Sequence, residues 1–200
     1  MNVAKTIRYG AWAAVVVLVA AVSAVTVMKF LDEDVEQAAT VTIGGPFELV
    51  DGTGQAFTEK NLNGKPTLMF FGFTYCPDVC PTTLSDMQGW IENLGPQADD
   101  LNFIFVSVDP ERDTPDVIAD YVAAFDTRVV PLTGSVDQVN QVIKDYRVYA
   151  RKVPLDDGDY TMDHTAAIYL LDGDQDFVGT ISYQEPEDTA LPKIRKLLGS

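Results

Sequence analysis

The sequence predicts an α/β domain, a mostly buried mixed sheet flanked by helices, carried behind an N-terminal transmembrane helix. Two observations predict the domain. Thr67–Phe73 and Leu101–Val108 are continuous apolar runs without alternation, the pattern of strands buried on both faces. Each run is followed by a helix signal, and the chain closes with a hairpin pattern and a final helix, so helices must cover the sheet. A third observation predicts the anchor: from Tyr9 to Met28 there is no charged residue, and Ala, Val and Leu dominate.

At about 1.5 Å per residue, residues 9–28 match a hydrocarbon core of about 30 Å. Lys5 and Arg8 precede the run, while Asp32, Glu33, Asp34 and Glu36 follow Lys29. The positive-inside rule then puts residues 1–8 in the cytoplasm and the rest outside it. A cleaved signal peptide ending at Val22-Ser23-Ala24 is the alternative, but the run exceeds the usual h-region of about 7–15 residues. No Arg- and Ser-rich transit peptide is present, which favours a bacterial inner membrane with the domain on the periplasmic side. Residues 29–45 read as an acidic tether, and 46–200 as the domain.

Within the domain, Phe47–Val50 and Gln55–Phe57 flank Asp51-Gly52-Thr53-Gly54, a hairpin signal. Asn63-Gly64-Lys65-Pro66 turns the chain into the first buried run. A helix is expected over Thr82–Leu94, stopped by Gly95-Pro96. After the second run, Thr114-Pro115 supplies an N-cap and an N1 proline for a helix through Phe125. Val129–Leu132 reads as a short strand, Ser135 as the cap of a helix to Tyr146, and Val148–Val153 as an extended edge. Thr165–Leu171 and Phe177–Ser182 make the closing hairpin, and Leu191–Leu198 the last helix.

With 14 Lys+Arg against 30 Asp+Glu, the net charge is −16, which argues against nucleic acid or anionic lipid headgroups as partners. The chain has two cysteines and one histidine. Cys76 and Cys80 lie in Phe73-Thr74-Tyr75-Cys76-Pro77-Asp78-Val79-Cys80-Pro81, where a buried strand ends and a helix begins. Each cysteine precedes a proline, which disfavours helical geometry, so both are expected on a loop with Pro81 at N1. Unpaired N–H groups at the helix start favour thiolate, whereas the Asp78 carboxylate, read as a solvated loop residue, would oppose it.

Two thiolates suit Cu(I), zinc or an iron–sulfur cluster, but a cluster or structural zinc wants four ligands. Adding His164, in the loop before the run Ala166–Leu171, gives a low-coordinate set that suits copper. A lone histidine is otherwise an ordinary surface or core residue. Met162, two residues earlier, reads as packing.

Three separated motifs occur in order: Thr74-Tyr75-Cys76-Pro77-Asp78-Val79-Cys80-Pro81, Val106-Ser107-Val108-Asp109-Pro110-Glu111-Arg112-Asp113-Thr114-Pro115, and Asp163-His164-Thr165. Together they resemble the Sco (SenC) family over about residues 42–198. The resemblance implies a membrane-anchored, thioredoxin-like fold with Cys76, Cys80 and His164 as metal ligands. It implies one copper per chain, as Cu(I) or Cu(II), destined for the dinuclear copper site of cytochrome c oxidase subunit II. On that view the protein is a metallochaperone and not an enzyme; another periplasmic copper carrier or a thioredoxin-like reductant is a further partner. The competing reading is a thiol–disulfide oxidoreductase that reduces the oxidase's copper-site cysteines. The Asp109–Thr114 stretch reads only as a strand-to-helix loop in which Asp113 or Thr114 caps the helix.

Overall fold

The computed structural model describes residues 3–36, 42–156 and 158–199, in two units, Met1–Val41 and Thr42–Ser200. The first is one helix, α1 (Val3–Glu36). It contains the whole 9–28 stretch and continues through 29–36, the first half of the expected tether. No Gly or Pro lies between Lys29 and Glu36, so nothing there stops a helix. Its described side chains from Trp12 to Val27 are exposed. Among the described residues, no helix is long and apolar enough to cross a membrane. Residues 10, 11 and 28 of the expected anchor and 29–41 of the tether lie outside those whose side chains are described.

In the second unit, Gly44 N–H donates to the Asp145 carbonyl at 2.9 Å and Ile43 packs on the core, so the domain begins before residue 46. The strands are β1 (Glu48–Asp51), β2 (Ala56–Thr58), β3 (Thr67–Gly72), β4 (Asn102–Ser107), β5 (Val129–Thr133), β6 (Ala150–Pro154), β7 (Tyr160–His164), β8 (Ile168–Leu171) and β9 (Phe177–Ile181). Seven of them form one mixed sheet in the order β2-β1-β5-β4-β3-β8-β9, with β3, β4 and β5 parallel and the outer pairs antiparallel. All six residues of β3 and all but the first of β4 are buried, as continuous apolar runs in central strands should be. The helices are α2 (Val79–Leu94), α3 (Pro115–Ala123), α4 (Val136–Asp145) and α5 (Glu187–Leu198). Ser135 caps α4 through a capping box with Gln138, as its sequence predicts.

Three elements differ from expectation. α2 begins at Val79, so Cys80 and Pro81 lie inside its first turn. First-turn N–H groups have no intrahelical acceptor, so a proline costs nothing there, and its bias against a helical predecessor is overridden at Cys80. α5 begins at Glu187, placing Pro192 inside the helix; Glu187 and Asp188 in the first turn complement the dipole. The extended segment after α4 is not an edge of the main sheet. It pairs with β7 in a separate two-stranded sheet, with Ala150 opposite His164 and Lys152 opposite Met162. His164 is therefore the last residue of its own strand and does not lie in a loop.

Candidate metal centre

β3 delivers the chain to the carboxyl edge of the sheet, and Cys76 follows on the loop while Cys80 enters the first turn of α2. At that edge Gly72 permits a close approach: a Cβ there would meet the Cys80 sulfur at 2.7 Å and the Phe105 ring at 2.8 Å. Cys80 is buried and Cys76 half-buried, and neither forms a disulfide. The Cys80 N–H, one of the donors a helix leaves unpaired at its start, points at the Cys76 sulfur at 3.3 Å.

The cysteines are therefore unequal. The Cys76 thiol is lowered to about 4, chiefly because the Cys80 side chain hydrogen-bonds to its thiolate, with help from the N–H groups of Asp78 and Cys80. Cys80 is pushed far up for the complementary reason, since it is the donor in that bond, and burial adds to the shift. Asp78 thus acts through its backbone, while its side chain is exposed, as expected of a solvated loop residue.

His164 Nδ1 lies 2.9 Å from the Thr165 carbonyl oxygen. A carbonyl only accepts, so Nδ1 carries the proton and Nε2 presents a lone pair. Nε2 faces the Cys80 sulfur at 3.6 Å. The rings of Phe73 and Phe70 stand edge-on to the imidazole, with centroids at 5.7 and 6.1 Å, and fix its plane. The donor atoms of Cys76, Cys80 and His164 all lie within 4.8 Å of one another, close enough for the trio to hold a metal ion. Two sulfurs and one imidazole form a soft set, one ligand short of a closed structural zinc site. Met162, on β7, packs against the core.

The loop after β4 does more than its sequence suggests. Thr114 occupies the cap position of α3 without a side-chain cap bond. Asp113 instead turns inward and is fully buried; its carboxylate accepts from Thr74 Oγ1 and Ser107 Oγ, both at 2.6 Å, and from the Thr74 N–H. Burial pushes its acid upward despite these donors. This network ties the cysteine loop to the end of β4. The sequence marks this stretch only as a strand-to-helix loop in which Asp113 or Thr114 caps the helix, and an inward-facing Asp113 carboxylate is not legible in it.

Fold and site together define a thioredoxin-like α/β domain bearing a two-sulfur, one-imidazole ligand trio. The chain belongs to the SCO1/SenC family, whose model matches residues 35–199. It is 41% identical over 165 residues to mitochondrial SCO2 of Saccharomyces cerevisiae, covering 78% of this chain and 53% of that protein. Two solved structures are similar. Bradyrhizobium japonicum ScoI with copper bound is 50% identical with a TM-score of 0.73, over 78% of this chain and 99% of that one. Yeast Sco1 with copper bound is 38% identical with a TM-score of 0.73, over 80% and 90%. The chain spans about half the length of the curated relatives it matches.

The asymmetry of the cysteines has a direct consequence. An ordinary thiol alkylates about tenfold faster for each pH unit below its pKa. Cys76, lowered to about 4, is already thiolate at neutral pH. Its alkylation by iodoacetamide in the reduced, metal-free protein is expected to be flat between about pH 6 and about pH 8, with Cys80 spared. Peptide mass spectrometry of the modified chain checks this; a steep rise at Cys76 would contradict the assignment.

Proposed function

We propose that this protein is a copper metallochaperone that delivers its cargo to the dinuclear copper site of cytochrome c oxidase subunit II. The observation that carries the reading is the convergence of the Cys76, Cys80 and His164 donor atoms within 4.8 Å. Copper-bound structures of B. japonicum ScoI and yeast Sco1 support the choice of metal. Soft sulfur donors favour Cu(I), and the imidazole adds a ligand acceptable to Cu(II). Transfer proceeds by ligand exchange. Cys76, half-buried, is the sulfur an incoming thiolate displaces first, while buried Cys80 and half-buried His164 retain the ion until a second thiolate arrives. The protein binds and passes on one copper per chain and turns over no substrate; another extracytoplasmic copper carrier loads it.

The unequal cysteines favour a second activity at the same residues. The Cys76 thiolate attacks a disulfide in a partner and releases one of its thiolates. Cys80 then surrenders its proton and attacks the Cys76 sulfur, releasing the second thiolate and leaving a Cys76–Cys80 disulfide. Two electrons pass from the cysteine pair to the partner. Reduction of the oxidase's copper-site cysteines would use this step.

The domain is held at a bacterial inner membrane by residues 9–28, on its periplasmic face. The uncharged apolar run and its preceding Lys5 and Arg8 support that topology.

Two outcomes are expected. In the reduced full-length chain, His164→Ala lowers copper retention against a chelator strongly and spares dithiol–disulfide exchange; in the oxidised chain, a Cys76–Cys80 disulfide abolishes copper binding. Metal analysis after chelator challenge reads both; equal retention by the oxidised and reduced forms would remove the copper assignment. A reporter active only outside the cytoplasm is expected to work when fused after residue 40 to an uncleaved N-terminus. A mature chain beginning near Val25 would replace the anchor with a signal peptide.

A further inference from the structure

His164 reaches the cysteines from a hairpin that does not pair with the main sheet. β6 and β7 hydrogen-bond only to each other among the described strands. Something other than the backbone ladder must therefore hold the hairpin against the cysteine loop.

Arg112 occupies that position. Its guanidinium carbon lies 3.8 Å from the ring centroid of Tyr160, on β7, and 4.6 Å from that of Tyr75, the residue before Cys76. The cation thus touches both elements that carry metal ligands. Nη1 donates to the Tyr160 carbonyl at 2.9 Å and approaches Asp159 at 3.3 Å. Nε donates to one Asp109 oxygen at 2.5 Å, and the other accepts from the Tyr160 hydroxyl at 2.8 Å. Arginine, carboxylate and tyrosine therefore close a ring in which each member fixes the other two.

This is not an exposed ion pair of the kind that contributes little. The Asp109 side chain is 0% exposed and that of Arg112 15%. Lys152 adds a second cation 4.4 Å from the Tyr160 ring and pairs with Glu111 at 2.6 Å. Phe73 completes the path: its ring lies 5.9 Å from the Arg112 carbon and stands edge-on to His164. Tyr160 and His164, four apart on β7, share one face of the strand.

We infer that Arg112 is a positioning residue for the metal site: by clamping β7 to the cysteine loop it holds the His164 imidazole opposite the two sulfurs. The inference rests on the copper reading above. It makes Arg112 act through His164 and not through the metal. Lysine would not substitute, because an ammonium lacks both the planar face that stacks on two rings and the fork that serves two acceptors at once.

The test uses the reduced full-length chain, with copper as the probe and a chelator as the acceptor. Arg112→Ala is expected to speed copper loss by about tenfold to a hundredfold, the usual cost of removing a group that orients a metal ligand. Arg112→Lys should recover little of that. In a His164→Ala background, Arg112→Ala should add nothing, since the ligand it orients is gone. Without metal, amide hydrogen exchange across residues 150–164 should quicken in Arg112→Ala. If that variant fails to fold because Asp109 is left buried and unpaired, Tyr160→Leu removes the stacked ring and keeps the Arg112–Asp109 pair. It should show the same copper loss and the same dependence on His164.

Unchanged copper loss in the folded variants, or an equal effect with and without His164, would overturn the inference. The copper reading fails separately, by a result Arg112 does not enter: His164→Ala itself retaining copper like the parent chain.

Discussion

The first turn of α2 rests on the end of β3 with no space between them for a side chain. Gly72 meets the Cys80 sulfur where any Cβ would lie 2.7 Å from it. This contact buries Cys80, points its backbone N–H at Cys76, and sets the loop from Phe73 to Asp78 that spans the gap. The inequality of the two cysteines follows. The buried sulfur keeps its proton and donates; the half-exposed one accepts and becomes the thiolate. A pair in ordinary solvent would not divide one proton so unequally.

The third side chain of the candidate metal trio, His164, arrives from 84 residues further along the chain than Cys80. Two separate devices converge on it. Behind the imidazole, Phe70 and Phe73 supply an apolar wall, and the Thr165 carbonyl selects the tautomer whose Nε2 is free. At the far end of the strand, Arg112, Asp109 and Tyr160 tie the hairpin to the loop after β4. The neighbouring Asp113 joins that loop to Thr74, just before the cysteines. Residues 109–113 thus brace both halves of the site without contributing a donor atom. The arrangement suits a protein that must hold an ion against one buried sulfur and release it past half-buried groups that incoming ligands can reach.

Much of this was legible in sequence where periodicity or capping chemistry acts locally. The unbroken apolar runs at Thr67 and Leu101 marked the central strands, Ser135 marked the start of α4, and the motif order pointed to Cys76, Cys80 and His164. What escaped were the features decided by tertiary contact. The prolines after both cysteines suggested that neither was helical, yet packing against Gly72 draws Cys80 into α2. β7 was missed because Tyr160–His164 is short and only partly apolar, and its stability comes from β6 and from Arg112. Asp113 read as a helix cap because its sequence position allows one; only the fold shows Ser107 and Thr74 waiting inside.

The central claim is that one copper ion is held by two sulfurs and one imidazole. X-ray absorption spectroscopy of the reduced, copper-loaded full-length chain tests it most directly. The expected spectrum has a shell of two sulfur scatterers and one nitrogen scatterer with the multiple-scattering pattern of an imidazole, and that pattern disappears in His164→Ala. A shell of oxygen and nitrogen scatterers alone, or an imidazole pattern that persists without His164, would contradict the account.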